Sequence, residues 1–189
     1  MGKIWLISDL HFNHDREFVW KVRGFKNIQE MNRAIIENWN ALVEPGDDVY
    51  VLGDLCLGGP NSIDDNRKLI QSLKGNLHIV RGNHDTDRRW DMYDYCYNVV
   101  EIENAIYLNY KDYHFYLSHY PTITGSLEKS SLKHCLCNFY GHIHDKARFY
   151  NDMPFMYNVG CDSHNCTPIL IDDAIKEMED KCKECIAQL

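Results

Sequence analysis

Five short polar clusters in this chain carry the residue types that bind hard and borderline divalent cations. They are Asp9-Leu10-His11, Gly53-Asp54, Gly82-Asn83-His84-Asp85, Ser118-His119 and Gly141-His142-Ile143-His144. Their donors are carboxylates, imidazoles and an amide oxygen, with no thiolate in the set. The period-two spacing of Asp9 with His11, and of His142 with His144, puts both side chains of each pair on one face of an extended segment. Glycines 53, 82 and 141 precede the polar residues, where they allow tight turns and close backbone approach. One such cluster is a weak signal, because a lone His-x-His is usually a pair of ordinary loop histidines. Five of them, each where an apolar run stops, carry more weight. In α/β sheets ligands bind beyond the carboxyl ends of strands, so five loaded strand ends converge on one place.

The apolar runs are the elements that must do the positioning. Lys3–Ile7, Asp48–Leu52, Leu77–Val80, His114–Leu117, Asn138–Tyr140 and Phe155–Val159 are short and mostly rich in Ile, Val, Leu, Tyr or Phe, and read as buried strands. Three helices are predicted between and after them. Ile28, Met31, Ile35, Trp39 and Leu42 form one helical face that stops at Pro45-Gly46. A second helix starts near Ser62, with Asp65 three residues on as a capping box, and presents Leu69, Ile70 and Leu73 before Gly75-Asn76. A third runs from about Asp172, with Ile171, Ile175, Met178, Cys182, Cys185 and Leu189 on one stripe. That stripe suits packing on a sheet and leaves a homodimer seam open. Phe12, Trp90, Tyr93, Tyr95, Tyr97 and Tyr120 could stack a base near the site. The alternation of Tyr93, Tyr95 and Tyr97 reads instead as a half-buried strand.

With 189 residues, 44% apolar and 25% charged, the chain is expected to fold as one domain over residues 1–189. Its 28 acidic against 20 basic residues give a net charge of −8, which argues against an extended nucleic-acid surface. It leaves room for a nucleotide at a site with its own positive charge. No run is long enough to span a membrane, and Asp9 interrupts the first apolar run too early for a signal peptide. A cytoplasmic location with reduced thiols is therefore expected for the eight cysteines. Cys182-x-x-Cys185 reads as ordinary helix packing, because no second such pair completes a zinc tetrad.

In their order, the five clusters resemble the motifs of the calcineurin-like metallophosphoesterase superfamily, in particular its small single-domain bacterial and phage-type members. The resemblance covers residues 9 to 144, and the stretch from Asn158-Val159-Gly160 to Pro168-Ile169 is similar to the closing strand of such proteins. It implies an α/β fold, a four-layer α/β/β/α sandwich. It implies two divalent metal ions, Mn, Fe or Zn, the first held by Asp9, His11, Asp54 and His144 and the second by Asp54, Asn83, His119 and His142. Such a pair clamps phosphoryl oxygens and activates a bridging hydroxide for in-line attack. The family's general acid falls on His84, with Asp85 expected to orient it. Asn13, His14 and Arg81 are candidates for contact with the substrate phosphate. The implied activity is hydrolysis of a small phosphoester, a phosphodiester in preference to a phosphomonoester, with a nucleotide open as the substrate. The competing reading is a non-catalytic protein-binding scaffold on the same fold, against which every motif position being filled speaks. Asp85, where protein Ser/Thr phosphatases carry Glu, argues against that branch.

Overall fold

The computed structural model describes residues 2–58, 62–125 and 131–187. Its first half is built of β–α units. Strand β1 (Ile4–Ile7) leads through the single-turn α1 (Glu17–Trp20) and the long α2 (Ile28–Leu42) to β2 (Asp48–Val51). Helix α3 (Ile63–Gln71), β3 (Asn76–Val80), α4 (Asp87–Asp94) and β4 (Val99–Glu103) follow. The second half holds β5 (Ile106–Tyr110), β6 (Tyr113–Leu117), β7 (Leu136–Tyr140), β8 (Met156–Asn158), β9 (Ile169–Leu170) and α5 (Ile171–Ala187). Two sheets result, with strand orders β4-β3-β2-β1-β9 and β5-β6-β7-β8. The first four strands run parallel, and β9 returns antiparallel beside β1. In the second sheet only the β5–β6 pair is antiparallel.

Alternation along the strands divides the apolar residues between two cores. Trp5, Ile7, Val49, Val51, Leu77 and Ile79 face helices α2–α4. Leu6, Tyr50, Leu52 and Val80 face the second sheet, where they meet Phe115, Leu117, Cys137, Phe139 and Tyr157. Helix α5 closes this second core with Ile171, Ala174, Ile175 and Met178. The result is the mixed α/β architecture of two sheets with flanking helices that the motifs implied. Helix α2 begins where the Asn27 side chain accepts the Glu30 N–H at 2.8 Å and buries Ile28, Met31, Ile35 and Trp39 of the expected face, while Leu42 in its last turn is exposed. Ser62 is the N-cap residue of α3, as expected, but its hydroxyl makes no capping bond and donates to the Leu57 carbonyl.

One expectation fails clearly. Tyr93, Tyr95 and Tyr97 do not form a strand: Tyr93 lies in α4, fully buried, while Tyr95 and Tyr97 project into solvent from the turn that follows. The edge strands β4 and β5 escaped detection because each has an exposed face and neither is a continuous apolar run. Among the described residues no helix is long and apolar enough to cross a membrane.

Trp39 ties α2 to the first sheet: its ring is wholly buried and its indole N–H donates to the Lys74 carbonyl at 2.9 Å. Trp39→Ala is expected to lower stability by about 3–5 kcal/mol, the range for large aromatic truncations. Urea unfolding followed by circular dichroism measures it.

Candidate metal centre

The clusters sit where the strands stop, and the backbone there is unusual. Asp9, His11, Asp54, His142 and His144 all have φ between 50 and 72°, a left-handed conformation that non-glycine residues rarely adopt. Tertiary hydrogen bonds hold it. The chain after β1 runs beside the chain after β2, with Asp9 N–H donating to Gly53 O at 3.1 Å and His11 N–H to Asp54 O at 3.0 Å. Three glycines make the crowding feasible. A Cβ on Gly82 would lie 2.2 Å from Asp54 Oδ1, and one on Gly141 2.3 Å from Asp9 Oδ2. Gly53, at φ 93°, has His119 Nδ1 where a Cβ would go.

All seven predicted ligand positions come together. His11 Nε2 lies 3.1 Å from His144 Nε2, 3.8 Å from Asp9 Oδ1 and 3.7 Å from Asp54 Oδ2. His119 Nε2 lies 3.6 Å from the same Asp54 Oδ2, and Asn83 Oδ1 is 2.8 Å from both His119 Nε2 and His142 Nδ1. Asp54 Oδ2 thus stands between two groups of donors. One group, Asp9, His11 and His144, has its ligand atoms within 4.8 Å of one another; so has a second, Asp9, Asp54 and His119.

The hydrogen bonds around these groups fix what the centre can accept. His144 Nδ1 donates to Asp162 Oδ2 at 2.8 Å, so the neutral ring presents a lone pair at Nε2. His119 Nδ1 donates to the Leu52 carbonyl at 2.8 Å, so its Nε2 lone pair faces Asp54. Asp9 Oδ1 is buried without a hydrogen-bond partner. Acceptors therefore face acceptors across about 3–4 Å, which is unfavourable unless a cation lies between them. Carboxylate, imidazole and amide donors suit Mn, Fe or Zn.

The profile of the calcineurin-like phosphoesterase superfamily domain matches residues 3–168. The chain belongs to the calcineurin-like phosphoesterase superfamily. It is 34% identical to an uncharacterized protein of Methanocaldococcus jannaschii, over 95% of this chain and 93% of that one. A segment covering 42% of the chain is 32% identical to glycerophosphodiester phosphodiesterase GpdQ of Enterobacter lignolyticus, of which it covers 28%. The crystal structure of a protein of unknown function from Aquifex aeolicus superposes with a TM-score of 0.70 at 22% identity, covering 93% of this chain and 99% of that one.

Within this calcineurin-like site the remaining predicted residues take different places. His84 stands at the rim, half exposed, with Nε2 3.9 Å from Asp54 Oδ2 and its N–H held by Asp54 Oδ1 at 2.8 Å. Asp85 does not orient the His84 ring. Its buried carboxylate accepts the N–H groups of Asp54 and Gly82 at 2.9 and 2.8 Å and the Tyr93 hydroxyl at 2.6 Å, so it fixes the Asp54 loop instead. The Asn13 side chain is not presented to a substrate; it bonds to Asn32 and Asn66, both at 2.7 Å. Arg81 is turned away as well. Its guanidinium bonds to Asp85 O and Asp87 and lies over the Trp90 ring. His14 does reach the site, with Nδ1 3.2 Å from His11 Nδ1. Of the predicted stacking aromatics, Tyr120 borders the centre, its ring 4.6 Å from that of His142.

Two residues went unnoticed in the sequence. Arg23 donates to Asp9 O, Leu10 O and both oxygens of Asp162, and Asp162 in turn holds His144. This is the outer support that metal-ligating histidines generally have. Asp162 could have been found as one more acid following an apolar run. Arg23, on the turn after α1, leaves no such trace.

Burial, and then the neighbouring His144, hold the His11 imidazole well below its usual range, so it stays neutral as a ligand must. Burial, and then His119, also lower His142. Burial would raise the Asp162 carboxyl, but its bonds from His144 and Arg23 hold it well below the ordinary carboxylate range. The bond to Asp162 raises His144. Burial raises Asp54 to about 6, with Asp9 and Asp85 adding to the effect.

A raised carboxyl is stabilising when protonated, so in the cation-free protein the Asp54 contribution is lost as pH rises from 3.8 through about 6. Cation binding needs the opposite form. Mn²⁺ affinity is expected to fall as pH drops below about 6, with proton release on binding. Titration calorimetry in buffers of different ionisation enthalpy measures both, and an affinity unchanged between about pH 7 and 5 would contradict the assignment.

Proposed function

We propose that this protein is a two-metal phosphoester hydrolase that acts on a small phosphodiester in preference to a monoester. The observation that carries the reading is the convergence of seven donor side chains, with Asp54 Oδ2 close to both His11 and His119 and the buried Asp9 Oδ1 without a hydrogen-bond partner. Asp9, His11, Asp54 and His144 would hold one ion and Asp54, Asn83, His119 and His142 the other. Mn²⁺, Fe or Zn²⁺ in these places would supply Lewis acidity to the phosphoryl oxygens and lower the pKa of a water.

The chain's own residues do the rest. Asp162 and Arg23 keep His144 in the tautomer that presents Nε2 inward. Asp85 and Tyr93 keep the Asp54 loop from relaxing. His84, the half-exposed imidazole at the rim, gives a proton from Nε2 to the leaving oxygen as the phosphorus–oxygen bond breaks. The diester preference draws support from the GpdQ-like segment, whose full-length relative is named as a phosphodiesterase.

The test is hydrolysis by chelated protein resupplied with Mn²⁺, on bis-p-nitrophenyl phosphate and p-nitrophenyl phosphate in parallel. Metal-dependent turnover mainly of the diester is expected; no turnover of either ester with metal bound would return the scaffold reading. His84→Ala should retain metal binding and lose about 10²–10⁴-fold on esters with poor leaving groups. The loss should be much smaller on nitrophenyl esters, whose leaving group needs little protonation. Equal losses on both would remove the acid role.

A further inference from the structure

A cavity of about 310 Å³ opens on the centre, lined by its histidines and by apolar residues that belong to no motif. His11, His14 and His84 line it together with Phe18 and Val22. These two apolar side chains are four residues apart, 70% and 65% exposed, and both line the cavity instead of packing in the core. The ring of Phe18 stands edge-on to His14 at 5.6 Å. Single exposed apolar residues are ordinary, but two facing a polar centre across a cavity of ligand size are not. The wall is also anchored: Val19 is buried beneath it, and Arg23, one residue past Val22, is clamped to Asp162 and to the carbonyls of Asp9 and Leu10.

We propose that this cavity is the leaving-group subsite and that it takes an uncharged aromatic group, with Phe18 and Val22 setting the specificity. The proposal rests on the phosphodiesterase reading above and names the substrate class within it. His84 identifies which ester arm belongs here. The water oxygen bonds to phosphorus and its proton passes to solvent, the bond from phosphorus to the leaving oxygen breaks, and the His84 Nε2 proton goes to that oxygen. The group attached to it must therefore lie on the His84 side, against Phe18. Charge identifies its chemistry. Among the described lining residues the one permanent cation is Arg23; its guanidinium is 2% exposed and already bonded, and Asp162 adds a negative charge beside it. A further phosphate on the leaving group would find no unpaired arginine or lysine among these lining residues, whereas a flat apolar ring finds Phe18, Val22 and imidazole faces. The volume, near the lower end for small-molecule sites, suits one ring system and no polymer.

The experiment compares two methyl phosphodiesters whose leaving groups have matched acidity, one an aryl alcohol and one a fluorinated alkyl alcohol. The readout is the aryl-to-alkyl ratio of kcat/KM with Mn²⁺. Phe18→Ala is expected to lower the ratio about tenfold, and Phe18→Leu to keep most of it, the scale of discrimination that apolar pockets supply. Tyr107→Ala, exposed on β5 far from the cavity, serves as the control. A ratio unchanged in Phe18→Ala overturns the subsite while leaving the hydrolase reading intact. If neither ester is hydrolysed, the hydrolase reading falls, and the subsite is judged on binding alone. Phenylphosphonate should then bind the Mn²⁺-loaded protein more tightly than methylphosphonate, and Phe18→Ala should abolish the difference. Equal affinities would overturn it.

Discussion

Acceptors face acceptors at the middle of this protein, and much of the fold serves to keep them there. His119 and His144 each give their one N–H outward, to the Leu52 carbonyl and to Asp162, and so must turn a lone pair toward carboxylate oxygens. Left to relax, such a cluster would spread, let water in or take up protons. It cannot spread, because its members stand on the ends of strands whose cores are buried on both faces. Five of the seven carry left-handed backbone conformations that cost on the order of 1–3 kcal/mol each. The energy that holds them comes from the packing of two sheets and their flanking helices, and a cation among the acceptors would make the arrangement favourable.

The support is layered. Asp85 crosses from the β3 end to the β2 end and gathers two backbone N–H groups and a buried tyrosine hydroxyl. Asp9 Oδ2 accepts the N–H of His142, so the carboxylate that offers one oxygen inward uses the other to fix the loop after β7. The β7–β8 end and the β1 end are joined again where Cys161 N–H meets Ser8 O at 2.9 Å. Each bond links the two sheets or two strand ends, so displacement of one ligand strains the others. That coupling accounts for the need for glycine at 82 and 141, where even a methyl group would strike a ligand carboxylate.

What was legible in the sequence followed from local rules. A strand that ends in Asp-x-His or Gly-Asn-His-Asp carries its chemistry with it, because strand direction and the position of the strand end are set by neighbouring residues. Orientation was not legible, because it depends on what the fold places across from a side chain. Asp85 sits beside His84 in the chain, yet its carboxylate bonds to the backbone of Asp54 and to Tyr93. Asn13 follows a ligand pair, yet α2 and α3 bring Asn32 and Asn66 against it. The tyrosines at 93, 95 and 97 keep a period of two by accident: the helix that contains Tyr93 ends before the other two, and burial separates them where spacing had joined them.

The centre and the wall beside it differ in what holds them. The ligands are fixed by both cores, by glycines without room for a side chain and by bonds between sheets. The Phe18–Val22 wall hangs on one turn of helix, secured by Val19 below and by Arg23 at its end. Substitutions at its exposed positions leave the donor side chains and the strands in place, so they alter what fits beside the centre without disturbing it. Arg23 limits this freedom, since the same guanidinium that anchors the wall holds Asp162 and, through it, His144. Recognition can therefore vary at Phe18 and Val22, while the residue between wall and centre is bound to the chemistry.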